Sequence, residues 1–237
     1  MTLTIPDSRF EMPQMFYPKR KPTGRVKIDW SHPLAAKLEY AAIDGLGTNL
    51  VNGDVGYDAT FKTTHHAQYG AGRDFSTATK SHKFDISLGG VTEVCSFAII
   101  KGNSNGGGYI SVIRQDGTFT PVQLTDSNAV RLVHWGPLIN AVPGSTINNS
   151  DAYSAISNRT SDGVSKLYLN GALDATTTGS TGVLATVSTP LVFGGTESDG
   201  ELYKGAIYVS YIWKDRSLSS RERDSLLNNP YQFLIPA

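Results

Sequence analysis

Between Leu167-Tyr168-Leu169 and Ala172-Leu173-Asp174 stands the pair Asn170-Gly171. A two-residue hairpin turn needs positive φ at both central positions, and Asn followed by Gly meets that demand at little steric cost. The pair therefore predicts an antiparallel hairpin, with Leu167 and Leu169 on one face and Tyr168 on the other. Beyond a polar Thr/Gly/Ser stretch lie Leu191-Val192-Phe193-Gly194-Gly195 and the long apolar run from Gly205 to Trp213. Simple alternation in that run puts Ile207, Val209, Tyr211 and Trp213 on one face and Ala206, Tyr208 and Ile212 on the other. A strand apolar on both faces belongs at the centre of a covered sheet.

One short helix follows. Ser219-Ser220-Arg221-Glu222 fits a capping box, in which Ser219 accepts from the Glu222 N–H while the Glu222 carboxylate reaches back. Such a cap contributes about 1 kcal/mol. Leu226 and Leu227 supply the apolar stripe, and Asn228-Asn229-Pro230 ends the helix.

The 237 residues include 24 Gly, and with abundant Thr, Ser and Asn they suit one large domain of short strands and turns. Lys+Arg 21 balance Asp+Glu 21, so no global attraction to nucleic acid or membrane is expected. The single cysteine, Cys95, lies in the apolar run Val94-Cys95-Ser96-Phe97-Ala98-Ile99-Ile100 and reads as a small core residue. No apolar leader opens the chain, and no run is long enough to span a bilayer, so synthesis in a reducing cytoplasm without export is expected.

Residues 1–27 differ from the body. Pro6, Pro13, Pro18 and Pro22 forbid regular structure over most of them. Their composition reads as a disordered tail; if ordered, the basic residues Lys19, Arg20, Lys21 and Arg25 and the apolar residues Phe10, Met15, Phe16 and Tyr17 suit an extended arm that packs on its own domain or on a neighbouring subunit. The body, 28–237, reads as one sandwich. Val91–Lys101 is a core strand, Gly102–Gly108 a loop, and Tyr109–Arg114 with Thr118–Leu124 a hairpin. Val130–Trp135 and Tyr153–Asn158 are further strands, separated by a loop around Pro137 and Pro143. Leu50–Phe84 is polar and reads as edge strands and loops.

Leu167–Gly171, Leu191–Gly195 and Tyr203–Leu227, taken together, resemble the laminin-G-like, concanavalin A-like group of jelly-roll sandwiches. The opening Val26–Leu34 and the ending Arg216–Phe233 resemble virion proteins of tailed bacteriophages and prophages. The resemblance implies an all-β, two-sheet antiparallel jelly roll with an extended N-terminal arm and one C-terminal helix. For function it implies a non-enzymatic virion structural protein, most simply one decorating the capsid or another outer surface. Its partners would be the major capsid protein or neighbouring structural subunits, in a homo-oligomer. This fold also hosts lectins and glycosidases, so two alternatives stand beside that expectation.

The first is a glycan-binding adhesin of a phage tail or fibre that recognises host surface glycans, with Trp135 and Trp30 as the aromatic residues able to stack on a sugar. The second is a laminarinase-like glycosidase using Glu197, Asp199 and Glu201, which stand at alternate positions. Ser198 and Gly200 between them instead favour a solvated turn. The five histidines show no ligand spacing, since adjacent His65 and His66 face opposite ways on a strand. The loop acids Asp116, Asp126, Asp151 and Asp199 form no EF-hand-like string. No metal, cofactor or nucleophile motif is therefore expected.

Overall fold

The computed structural model describes residues 21–22, 24–43, 47–58, 61–103, 110–116, 119–124, 129–134, 140–148, 150–178, 181–199 and 201–237. In chain order the strands begin with β1 (Val26–Ile28), β2 (Leu38–Ala42), β3 (Lys62–His66), β4 (Gly70–Asp74) and β5 (His82–Phe84). Next come β6 (Val94–Asn103), β7 (Ile110–Gln115), β8 (Phe119–Leu124), β9 (Ala129–His134) and β10 (Asn140–Thr146). The last are β11 (Tyr153–Arg159), β12 (Val164–Leu169), β13 (Ala172–Thr178), β14 (Leu191–Phe193), β15 (Lys204–Lys214) and β16 (Leu234–Pro236). A single α-helix among the described residues, α1 (Ser220–Asn228), separates the last two strands.

These strands make an antiparallel sandwich. One sheet runs β10-β9-β8-β7-β14-β5 and the other β13-β12-β11-β6-β15-β4-β3, with β2 also pairing with β15. As predicted, β15 is central: it is buried from Gly205 to Trp213 and bonded along its length to β6. Cys95 is buried on β6.

Two apolar layers hold the larger sheet. Between the sheets, Tyr40 stacks on Phe193 at 4.6 Å and meets Phe84 edge-on at 5.0 Å, offset geometries that aromatic quadrupoles favour. On the outer face, Ile28, Leu34, Leu226, Tyr231 and Phe233 pack over Phe97, Tyr211 and Trp213. Fully burying each such side chain contributes about 1.5–3 kcal/mol. The outer layer is built from both ends of the described chain. β1 pairs with β16, and the Ala237 N–H donates to the Arg25 carbonyl at 3.0 Å. The expected arm–body junction at 27/28 thus falls inside a strand. Lys21, expected on the arm, donates its amine to the Ala71 carbonyl of the same molecule at 3.0 Å.

Local signals resolve as the sequence states them. Asn170 and Gly171 turn with φ of 49° and 87°. The Ser219–Glu222 capping box is present in both directions. The predicted β7–β8 hairpin and the short β14 also form.

Two expectations are corrected. Pro143 lies within β10, not a loop; β10 is an edge strand, where a missing N–H can be tolerated, and its register shifts just after Pro143. In β15, a bulge between Ile207 and Val209 inserts Tyr208 as an extra residue. Simple alternation therefore fails there. Ile207 faces the inter-sheet core with Ile212, whereas Ala206 and Tyr208 join Val209, Tyr211 and Trp213 on the outer face.

Candidate functional site

The bulge in β15 shapes a hollow on the outer face of the larger sheet. Ala206 pairs with Lys101 of β6 on one side and Asp74 of β4 on the other. Directly paired residues share a face, as do residues two apart along a strand. Lys204 and Tyr208 therefore flank Ala206 along β15. Two lysines, an aspartate and a tyrosine surround the Ala206 methyl group, leaving a hollow of about 260 Å³ that Thr64, His65, Gly102 and Gly205 complete. It lies on the same sheet face as the outer apolar layer, to which Ala206 and Tyr208 contribute.

Two glycines make this packing possible. A Cβ on Gly72 would lie 2.5 Å from the Tyr208 ring, so the ring can settle only over a glycine. A Cβ on Gly205 would lie 2.2 Å from the Lys101 carbonyl, which also accepts the Tyr203 hydroxyl at 2.8 Å. Beside Tyr208, the His66 ring stacks on Tyr69 at 5.0 Å.

The charges around the hollow are unevenly matched. One Asp74 oxygen accepts the Ser76 N–H at 2.8 Å. Lys204 donates to the Ala78 carbonyl at 3.2 Å. Burial raises the Tyr208 phenol pKa, and the Asp74 carboxylate adds to the shift. Burial also lowers the His66 pKa, helped by the Lys101 ammonium. Neither Lys101 nor Lys204 forms an ion pair with Asp74 among the described residues.

The acidic triplet has a different role. Strand β14 ends before it and β15 begins after it, so Glu197, Asp199 and Glu201 occupy a turn, as Ser198 and Gly200 suggested. Asp199 Oδ1 accepts from the Ser81 N–H at 2.8 Å and the Ser81 hydroxyl at 2.6 Å. Its Oδ2 lies 3.4 Å from Lys83 Nζ, and Asp58 holds the same amine at 3.3 Å. Burial would raise the Asp199 pKa, but these hydrogen bonds and the Lys83 charge leave it below the ordinary carboxylate range. The carboxylate ties the turn to β5.

Other predicted residues scatter. Trp30 is 57% exposed beside a turn in which Asp29 accepts the Ser31 N–H, but it does not line the hollow. Trp135 lies outside the described residues, as do Phe10, Met15, Phe16, Tyr17, Lys19 and Arg20. Arg25 and Lys21 border a second, more apolar groove of about 850 Å³ with Val26, Ile43, Leu50 and Ala71. Burial pushes the Cys95 thiol well above its ordinary pKa, which removes it as a nucleophile at neutral pH. Among the described residues no three metal-ligating side chains gather. No helix there is long and apolar enough to cross a membrane.

The hollow escaped the sequence reading because four strands from three distant parts of the chain build it. The only local trace is a small Ala206 set between Lys204 and Tyr208, and the unseen bulge decides which way it faces.

No protein-family model matches the chain. No curated protein sequence matches it either. Solved structures do share its fold. Domain 4 of AbnA, a GH43 extracellular arabinanase from Geobacillus stearothermophilus solved with arabinotriose, aligns with a TM-score of 0.62 at 13% identity. That alignment covers 81% of this chain and 98% of that domain. The binding domain of Paraclostridial Mosquitocidal Protein 1 also gives 0.62, at 10% identity, over 81% of this chain and 52% of the other. Trypanosoma rangeli sialidase with the inhibitor DANA gives 0.52 at 11% identity, over 75% and 32%. The chain thus spans about a third and a half of the two longer proteins and nearly all of the arabinanase domain. At these identities the likeness establishes an all-β antiparallel sandwich.

Proposed function

We propose that this chain is a non-enzymatic, glycan-binding β-sandwich that offers the hollow around Ala206 to a sugar. One observation carries the reading: 81% of this chain matches the fold of a domain solved with arabinotriose, over 98% of that domain's length. The hollow adds what such a role needs, namely hydroxyl, carboxylate and amine groups converging on a small apolar floor. The non-enzymatic part is supported by Asp199, whose two oxygens already serve Ser81 and Lys83.

A glycan array followed by calorimetric titration of the full chain tests the reading. An oligosaccharide should bind without release of reducing ends, and Ala206→Leu, which fills the hollow, should abolish binding. Silence across the array would refute glycan binding. Unaltered binding by the Leu variant would refute the site. Released reducing ends would restore the glycosidase alternative.

A second reading places this module on a tailed-phage particle. It is supported by the resemblance of Val26–Leu34 and Arg216–Phe233 to virion proteins, and by the contact between those two stretches. Arg216 donates to the Pro33 and Ala36 carbonyls, each at 2.7 Å, and β1 pairs with β16. On this reading, deletion of residues 1–20 abolishes incorporation into particles and leaves sugar binding intact. Incorporation at the normal level would remove the assembly role.

A further inference from the structure

We infer that the hollow around Ala206 selects a sugar bearing an anionic group. The inference rests on the glycan-binding reading and adds the chemical class of the ligand.

The charge balance of the site points there. Two lysines, Lys101 and Lys204, line the hollow against one acidic residue, Asp74. The chain as a whole has a formal charge of +0, so the local excess of positive charge is a property of this place. Asp74 is partly committed, because one oxygen caps the Ser76 N–H. Lys204 uses one donor on the Ala78 carbonyl and keeps two, as an ammonium carries three. Both lysines are half-buried, which screens their charges less than full exposure would.

Each group then has a place in recognition. An anionic substituent entering between Lys101 and Lys204 meets donors from two strands. Asp74 and Thr64, on the opposite side of Ala206 from Lys101, are suited to accept ring hydroxyls. Tyr208 and the Ala206 methyl form a floor for the C–H face of the ring. The volume, about 260 Å³, is below the 300–1,000 Å³ of drug-sized pockets and suits about one ring. A carboxylate or a sulfate ester would satisfy the same donors.

Calorimetric titration of the full chain distinguishes the cases. The probes are a galacturonate oligosaccharide, the same oligosaccharide with its carboxyl groups reduced to alcohols, and a sulfated neutral counterpart. A charge-assisted contact worth about 1.4 kcal/mol corresponds to a tenfold change in affinity. The acidic or the sulfated probe should therefore bind about tenfold or more tightly than the reduced one, and which of them does so identifies the anion. Added salt should narrow the gap. Lys101→Gln should erase most of the preference, and its unchanged thermal midpoint would exclude misfolding. If the reduced probe binds as well as the charged ones and Ala206→Leu abolishes that binding, the anionic class is wrong and glycan binding stands. A charge preference that survives Lys101→Gln combined with Lys204→Gln overturns the assignment. If no sugar on any array binds, both readings fall.

Discussion

The indole N–H of Trp213 donates to the Leu34 carbonyl at 2.7 Å, fixing the end of the central strand to the turn that precedes β2. Trp213 is fully buried, and the adjacent Tyr211 hydroxyl donates to the Pro230 carbonyl at 2.9 Å. Two consecutive outward residues of β15 thus hold the two ends of the described chain against one sheet. Replacing Trp213 with Ala should destabilise the fold by about 3–5 kcal/mol, as core aromatic truncations do. Trp213→Phe should cost less, about 1–3 kcal/mol, because it retains a ring and chiefly orphans the Leu34 carbonyl. Urea denaturation of both variants checks the order; a Phe variant as stable as native would show that the hydrogen bond adds nothing, and equal losses would show that the retained ring adds nothing.

Acid should weaken the fold through His82. Its ring lies inside the sandwich, stacked on Phe84 at 4.7 Å; no side chain bonds either ring nitrogen, and the Gly47 backbone beside the ring offsets only part of the cost of burial. Gly47 and Gly56 close over it so tightly that a Cβ on either would collide with the imidazole. Burial, then the Arg73 guanidinium, pushes its pKa down to about 3. The unfolded chain takes up the proton near the ordinary value of 6.5, well before the folded state does. Stability contributed by neutral His82 is therefore complete above about pH 6.5 and drains away as the pH falls toward 3. At pH 5 the loss amounts to about 2 kcal/mol. Carboxylates held low by partners, Asp199 and Glu222 among them, lose their contribution only at lower pH. Urea midpoints at pH 7 and 5 should separate for the native protein and nearly coincide for His82→Phe. Parallel shifts in both would eliminate this histidine as the cause.

The tie from Asp199 to β5 should be worth more than an exposed ion pair. Asp199→Ala removes the acceptor of the Ser81 N–H, leaves the Ser81 hydroxyl with the Thr196 carbonyl at 3.0 Å, and leaves Lys83, whose side chain is 7% exposed, with Asp58 as its remaining ion-pair partner. Leaving buried donors unsatisfied costs about 1–3 kcal/mol. The residue also sits at φ 59°, a conformation that Asn tolerates and Ala resists. Asp199→Asn should therefore recover part of the loss. Thermal unfolding would rank native above Asn above Ala; an Ala variant as stable as native would show that the turn holds without the carboxylate.

What the sequence disclosed and what it concealed divide along the distance between interacting residues. The Asn170-Gly171 turn and the Ser219–Glu222 cap are determined within four residues, so their chemistry is readable from composition at those positions. The long apolar run announced a doubly covered strand for the same reason. The bulge at Tyr208 left no such mark, because it arises from how β15 must register against β6, a hundred residues earlier. Arg73 was equally hidden. It lies in a polar stretch that reads as an edge, yet its guanidinium is buried between the sheets, 4.8 Å over the Phe193 ring and 3.2 Å from the Ser210 hydroxyl. The acidic turn was legible as a turn, but its bond to Ser81 spans 118 positions and needed the fold.

Gly72 offers a test that links the fold to the site. It faces outward on β4, and the Tyr208 ring lies where any larger residue would place its Cβ. A β-carbon there would also sit 3.0 Å from the Ile207 carbonyl, backbone that cannot move without disturbing the bulge. Gly72→Ala should therefore cost about 1–3 kcal/mol, the usual penalty for overpacking. The ring must yield, and its way out leads into the hollow beside Ala206. Sugar affinity should fall accordingly, by more than the loss of folded protein explains. Combining Gly72→Ala with Tyr208→Ala removes the obstruction, so stability should recover relative to the sum of the two single changes, a coupling that a double-mutant cycle reads directly. Strict additivity would show that ring and glycine do not compete for this space.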